Sequence, residues 1–112
     1  MQTTKELAIN LAEWAQEKKA KYPVILEIGK QSTIADFFVV LSGSSTVQVK
    51  AIADHLGKKL NELQINRHTE GYQDGHWILV DCGDVVVHIF TEEMRQFYSL
   101  ERLWSDVPTV QI

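Results

Sequence analysis

Trp77-Ile78-Leu79-Val80-Asp81-Cys82-Gly83-Asp84-Val85-Val86-Val87-His88-Ile89-Phe90 decides the fold. Trp77 to Cys82 and Val85 to Phe90 are both rich in β-branched and aromatic residues, so each reads as a strand. Cys82-Gly83-Asp84 is a short connection suited to a hairpin. Upstream, Gly71 to Gly75 (Gly-Tyr-Gln-Asp-Gly) is turn chemistry. A short strand is expected before it, over Arg67 to Gly71. Downstream, Thr91 can cap a helix with Glu92 and Glu93 in its first turn. That stretch carries Met94, Phe97, Tyr98, Leu100, Leu103 and Trp104 before Pro108.

The first half has a different rhythm. Thr3 or Thr4 can cap a helix whose apolar stripe is Leu7, Ala8, Leu11, Ala12 and Ala15. Lys18-Lys19-Ala20-Lys21 is expected at its carboxyl end, where the dipole favours cations, and Pro23 prevents continuation. Val24 to Ile28 reads as a strand ending at Gly29. Ile34 to Leu41 reads as a second. Its run Phe37-Phe38-Val39-Val40 is apolar at every position, which implies burial on both faces. Ser42-Gly43-Ser44-Ser45 follows as a turn, and Ser44 or Ser45 can cap a long helix. Val49, Ile52, Ala53, Leu56, Leu60 and Leu63 recur on that helix at three- and four-residue spacing. The order αββαβββα predicts an α/β fold: a mixed sheet of about five strands partly covered by helices.

The chain has 112 residues, 45% hydrophobic and 23% charged. That is the size of one domain, read here as 1–112 with a core over about 3–105 and a short C-terminal tail. Cys82 is the only cysteine, which excludes an internal disulfide. Eleven basic against fifteen acidic residues leave a net charge of −4. Direct, tight binding to bare nucleic acid is disfavoured, because it needs clustered Lys and Arg to displace counterions. An acidic protein can still join a nucleoprotein particle by docking on a basic protein there. Apolar runs such as Phe37 to Leu41 are far below the roughly 20 residues of a membrane span. The N-terminus has no signal-peptide pattern, so a cytoplasmic location is expected.

Three chemistries deserve weighing. His55, His68, His76, His88 and Cys82 invite a metal, but no H-x-x-x-H or C-x-x-C spacing occurs, and ordinary surface or hydrogen-bonded histidines are the simpler reading. Ser42-Gly43-Ser44-Ser45 between strand and helix resembles the opening of a nucleotidyltransferase. An Asp-x-Asp or Asp-x-Glu pair should then follow on the next strand, which has only Glu70. Asp81 and Asp84 stand three apart on the later hairpin. The competing enzyme reading is thus a magnesium-dependent transferase using Ser44, Ser45, Asp81 and Asp84; the plain reading of the serines is a helix cap. No G-x-S-x-G elbow supports a hydrolase triad. The aromatic and charged residues of the second half say more. Trp77, Tyr98 and Trp104 lie among Glu70, Asp81, Asp84, Arg95, Glu101 and Arg102. Trp, Tyr and Arg are the usual interface anchors, although the tryptophans serve equally well as core.

Five segments in this order resemble the Iojap-like family, the ribosomal silencing factors S. They are Ile34 to Val40; Ser42 to Ser45 with Val49-Lys50-Ala51-Ile52-Ala53-Asp54; Glu70-Gly71; Trp77 to Phe90; and Arg95-Gln96-Phe97-Tyr98-Ser99-Leu100-Glu101-Arg102-Leu103-Trp104. The last two are highly specific. Cys82 stands where the family often has an aromatic or aliphatic residue. The resemblance implies a nucleotidyltransferase-like fold without the catalytic carboxylate pair, no enzymatic activity and no cofactor or metal. It implies binding to the large ribosomal subunit through ribosomal protein L-fourteen, blocking small-subunit joining and repressing translation, and a homodimer. Organelle relatives act in large-subunit assembly. The docking surface is expected on the second half, with Trp77 and Tyr98 as aromatic anchors. Glu70, Asp81 and Asp84 would be acidic partners for Lys or Arg. Arg95 and Glu101 would join the rim or pair internally, and His88 and Phe90 would be structural.

Overall fold

A computed structural model describes residues 3–112. Helix α1 (Thr4–Gln16) leads to β1 (Lys21–Glu27) and β2 (Phe37–Gly43), then α2 (Thr46–Glu62). Next come β3 (His68–Glu70), β4 (Trp77–Asp81) and β5 (Val85–Thr91). Two short helices, α3 (Glu92–Tyr98) and α4 (Leu100–Leu103), precede β6 (Thr109–Val110). The six strands form one mixed sheet in the order β3-β4-β5-β2-β1-β6. Only the central pair β2–β5 is parallel; its neighbours run antiparallel.

The alternation of strand side chains divides the core in two. Ile25, Val39, Leu41, Ile78, Val80, Val87 and Ile89 pack under Leu11, Ala12, Ile52, Leu56 and Leu60 of α1 and α2. Leu26, Phe38, Val40, Val86 and Phe90 point the other way, toward Met94, Leu100, Trp104 and Val107. Every residue of β2 is buried, as its unbroken apolar run requires. The caps follow the sequence too. The Thr3 hydroxyl accepts from Glu6 N–H while the Glu6 carboxylate accepts from Thr3 N–H, a reciprocal capping box. The Ser45 hydroxyl accepts from Gln48 N–H to start α2.

Several expectations are corrected. Helix α1 stops at Gln16, before the lysines, because Lys19 turns into the left-handed region and Ala20 N–H bonds the Ala15 carbonyl. Pro23 lies inside β1, not between elements. It falls where the register with β2 skips from Lys21 to Val24, and a bulge tolerates the missing N–H. Ser42 and Gly43 complete β2 instead of turning. The last helical stretch is broken at Ser99, whose φ of 47° separates α3 from α4. The expected tail holds a sixth strand: Val110 and Thr109 pair with Ile25 and Leu26, and Val107 is buried.

The hairpin that anchors the second half forms as expected. Cys82 N–H donates to the Val85 carbonyl, and the Asp81 carboxylate accepts from Gly83 N–H at 2.8 Å. Gly83 takes φ of 90°, a conformation side chains disfavour.

A candidate docking face on the second half of the chain

The second face of the sheet is roofed over its middle and left open toward β3 and β4. Trp77, Leu79 and Asp81 alternate onto this face. Register places Glu70 opposite Leu79 and His68 opposite Asp81, so these side chains share it. Trp77 starts the row, half-buried. Its ring stacks on Phe90 at 4.9 Å and meets Tyr98 at 4.6 Å. Tyr98 in turn stands edge-on to Phe97 at 5.2 Å. Phe97 and Leu103 are 76% and 73% exposed and Tyr98 47%. Tyr98 borders two adjoining shallow grooves, one shared with Trp77 and Met94, the other with Phe97 and Leu103. The expected anchors Trp77 and Tyr98 are therefore in contact and partly accessible.

The acidic residues are more scattered. Glu70 is exposed on the edge strand, 3.1 Å from His68 Nε2. Asp81, at the far end of β4, is about 13 Å along the strand from Trp77 and is half-occupied by its bond to Gly83. Asp84 is exposed in the hairpin loop. Glu70 lies on the edge strand opposite Leu79, two residues from Trp77, whereas Asp81 and Asp84 lie at the hairpin end, away from the aromatic patch.

Arg95 and Glu101 pair with each other, Glu101 staying partly exposed. Arg95 Nε and Nη2 donate to the two Glu101 carboxylate oxygens at 2.9 and 3.1 Å. Its Nη1 donates to the Ser42 hydroxyl at 2.8 Å and the Lys21 carbonyl at 3.3 Å. The guanidinium, 11% exposed, ties α3 and α4 to the ends of β2 and β1. The pair thereby fixes the bend at Ser99 that turns Phe97 and Leu103 outward.

The sequence missed Phe97 and Leu103 as surface residues. The available signal was crowding: six large apolar or aromatic residues stand between Met94 and Trp104, more than one helix face can bury.

His88 is buried, 5% exposed, between these elements. Its Nδ1 accepts from Trp77 Nε1–H at 3.2 Å, and the Phe38 ring stands edge-to-face at 4.6 Å. Burial pushes its pKa down to about 4, against a weak upward pull from Asp81. The imidazole is neutral at physiological pH. Cys82 is likewise an unreactive thiol, pushed up to about 11 by burial and then by Asp81.

The alternative constellation does not assemble. Asp84 sits at the start of the parallel pair, where its carbonyl accepts from Asp36 and Phe37 N–H. Ser44 and Ser45 follow Gly43, at the other end of β2, about 20 Å away at strand spacing. Ser44 and Ser45 both bond Gln48 instead. One ion cannot be held by these four residues. Among the described residues, no group of three or more His, Cys, Asp or Glu converges as a metal site, and His76 bonds Asp74.

Residues 1–112 match the family model described as "Ribosomal silencing factor during starvation". The chain belongs to the ribosomal silencing factor family. A relative in Halalkalibacterium halodurans named ribosomal silencing factor RsfS is 44% identical over 96% of this chain and 90% of its own length. The maize chloroplastic protein Iojap is 32% identical over 94% of this chain, which spans 46% of that longer protein. A crystal structure of a Chromobacterium violaceum protein superposes with a TM-score of 0.89 at 34% identity, covering 92% of this chain and 87% of that one. The α/β architecture is thus that of the solved Chromobacterium violaceum chain.

Proposed function

We propose that this chain is a non-enzymatic repressor of translation in the cytoplasm. It docks on the large ribosomal subunit through ribosomal protein L-fourteen and keeps the small subunit from joining. The observation that carries this reading is the continuous patch of Trp77, Tyr98, Phe97 and Leu103, with Glu70 on the neighbouring edge strand and Asp81 farther along the same sheet face. Aromatic anchors surrounded by polar groups are what a specific protein interface uses. A net charge of −4 suits a basic ribosomal protein better than bare RNA. Blocking needs no reactive group, because occupying roughly 800 Å² of the partner with a domain of this bulk is enough. The homodimer implied by the family resemblance is part of the same proposal.

The test is sedimentation of the purified protein with separated ribosomal subunits, followed by a joining assay. The expected result is co-sedimentation with the large subunit alone and fewer joined ribosomes. Failure to bind at low salt would overturn the proposal.

A further inference from the structure

We infer that His88 is the positioning residue for Trp77, holding the indole as an anchor whose polar N–H is already spent inside the protein. The inference rests on the docking role of Trp77 proposed above. Three observations converge on it. Trp77 has a single polar atom, Nε1–H, and it donates to His88 Nδ1 at 3.2 Å. His88 is nearly fully buried, yet its Nε2 has no hydrogen-bond partner. The ring is fixed from three sides: Phe38 edge-to-face at 4.6 Å, Phe90 stacked at 6.3 Å and Trp77 tilted at 5.9 Å.

A mid-strand position facing Val40 and Leu79 would ordinarily hold an apolar side chain. Burying an imidazole there with one nitrogen unsatisfied is costly unless the other nitrogen supplies something. Accepting from Trp77 fixes the tautomer: Nδ1 carries the lone pair and the proton sits on Nε2. The bond joins neighbouring antiparallel strands, β5 to β4, across the sheet. It sets the rotation of the indole between Phe90 and Tyr98. What remains of Trp77 for a partner is carbon. The partner group it recognises is therefore an aliphatic side chain or stem, not a hydrogen-bond acceptor such as a phosphate or carbonyl oxygen.

The tests separate this inference from the docking proposal. In the wild-type protein, 15N resonances of the His88 ring should place its proton on Nε2 at neutral pH; the opposite tautomer would overturn the inference. His88→Phe keeps a ring and removes the acceptor, while His88→Asn keeps an acceptor at the Nδ1 position. His88→Phe is expected to move the Trp77 indole N–H resonance, leave that of Trp14, on the opposite face of the sheet, in place, and weaken large-subunit binding about tenfold. His88→Asn should restore most of that affinity. If Trp77→Ala abolishes binding but His88→Phe binds like wild type, the positioning role is wrong and docking stands. If folded Trp77→Ala binds undiminished, the docking proposal itself fails. Should His88→Phe not fold, the ring tautomer and His88→Asn still decide.

Discussion

His88 makes the stability of this protein sensitive to acid. Its pKa is about 4 in the folded chain against an ordinary 6.5. Between those values the unfolded chain binds the proton and the folded chain does not, so stability rises with pH. The contribution is fully present above pH 6.5 and is lost as pH falls through about 4; it amounts to about 3 kcal/mol. Urea unfolding at pH 7 and pH 4.5 should record this loss, and His88→Asn should show less of it. Arg95 is the second residue with large leverage. Removing a guanidinium that is 11% exposed and forks onto Glu101 is expected to destabilise by about 3 kcal/mol. Arg95→Lys should not restore it, since an ammonium cannot reproduce the two-pronged geometry. Denaturant titration of both variants, with Glu101→Gln as the third corner of a cycle, checks the coupling.

Among the elements, turns and caps carry the next predictions. Gly71 has φ of 81°, and a Cβ there would run into the Trp77 carbonyl. Gly71→Ala should therefore destabilise by about 2 kcal/mol or more and loosen β3 against β4. A cap is milder: Ser45→Ala removes the acceptor for Gln48 N–H and should lower stability by about 1 kcal/mol. Thermal melts of the two variants give the comparison. These same elements mark how far the sequence was legible. Leu63, assigned to the α2 stripe, instead caps that helix and is exposed, but both caps, the β4–β5 hairpin and the rest of the α1 and α2 stripes are local patterns and were legible. The break at Ser99 was not, because it is held by Arg95 reaching across to Ser42 and Lys21, distant in sequence. Strand β6 escaped notice because two residues have no periodicity; only the pairing of Thr109 and Val110 with β1 makes them a strand. Trp77 and Tyr98 stand out by residue type as candidate anchors, whereas Phe97 and Leu103 owe their exposure to the break.

At the scale of the whole molecule, charge predicts how the proposed docking depends on salt. Acidic groups around an apolar patch steer encounter more than they hold the complex. Association with large subunits should slow as salt is raised from low to physiological strength, with a smaller change in dissociation, measurable by surface-immobilised subunits. Glu70→Lys should reduce the association rate further. Equal salt dependence of both rates would indicate that charge pairs lie inside the contact.

The single parallel pair at the centre of the sheet also sets an order of assembly. The β1–β2 and β4–β5 pairs join neighbours in the chain and close cheaply, whereas β2 must find β5 across the intervening α2, β3 and β4. Long closures lose more chain entropy and form later. Refolding should proceed as two hairpins that meet along the seam from Phe37–Val85 to Gly43–Thr91. Pulse-labelled hydrogen exchange should find the outer ladders protected before the seam. His88 lies in that seam opposite Val40, so its imidazole stays hydrated until the two halves meet. In mild acid it would be protonated while still in water and would have to shed that proton before the seam could close. Refolding, not just equilibrium stability, should then slow as the solution is acidified.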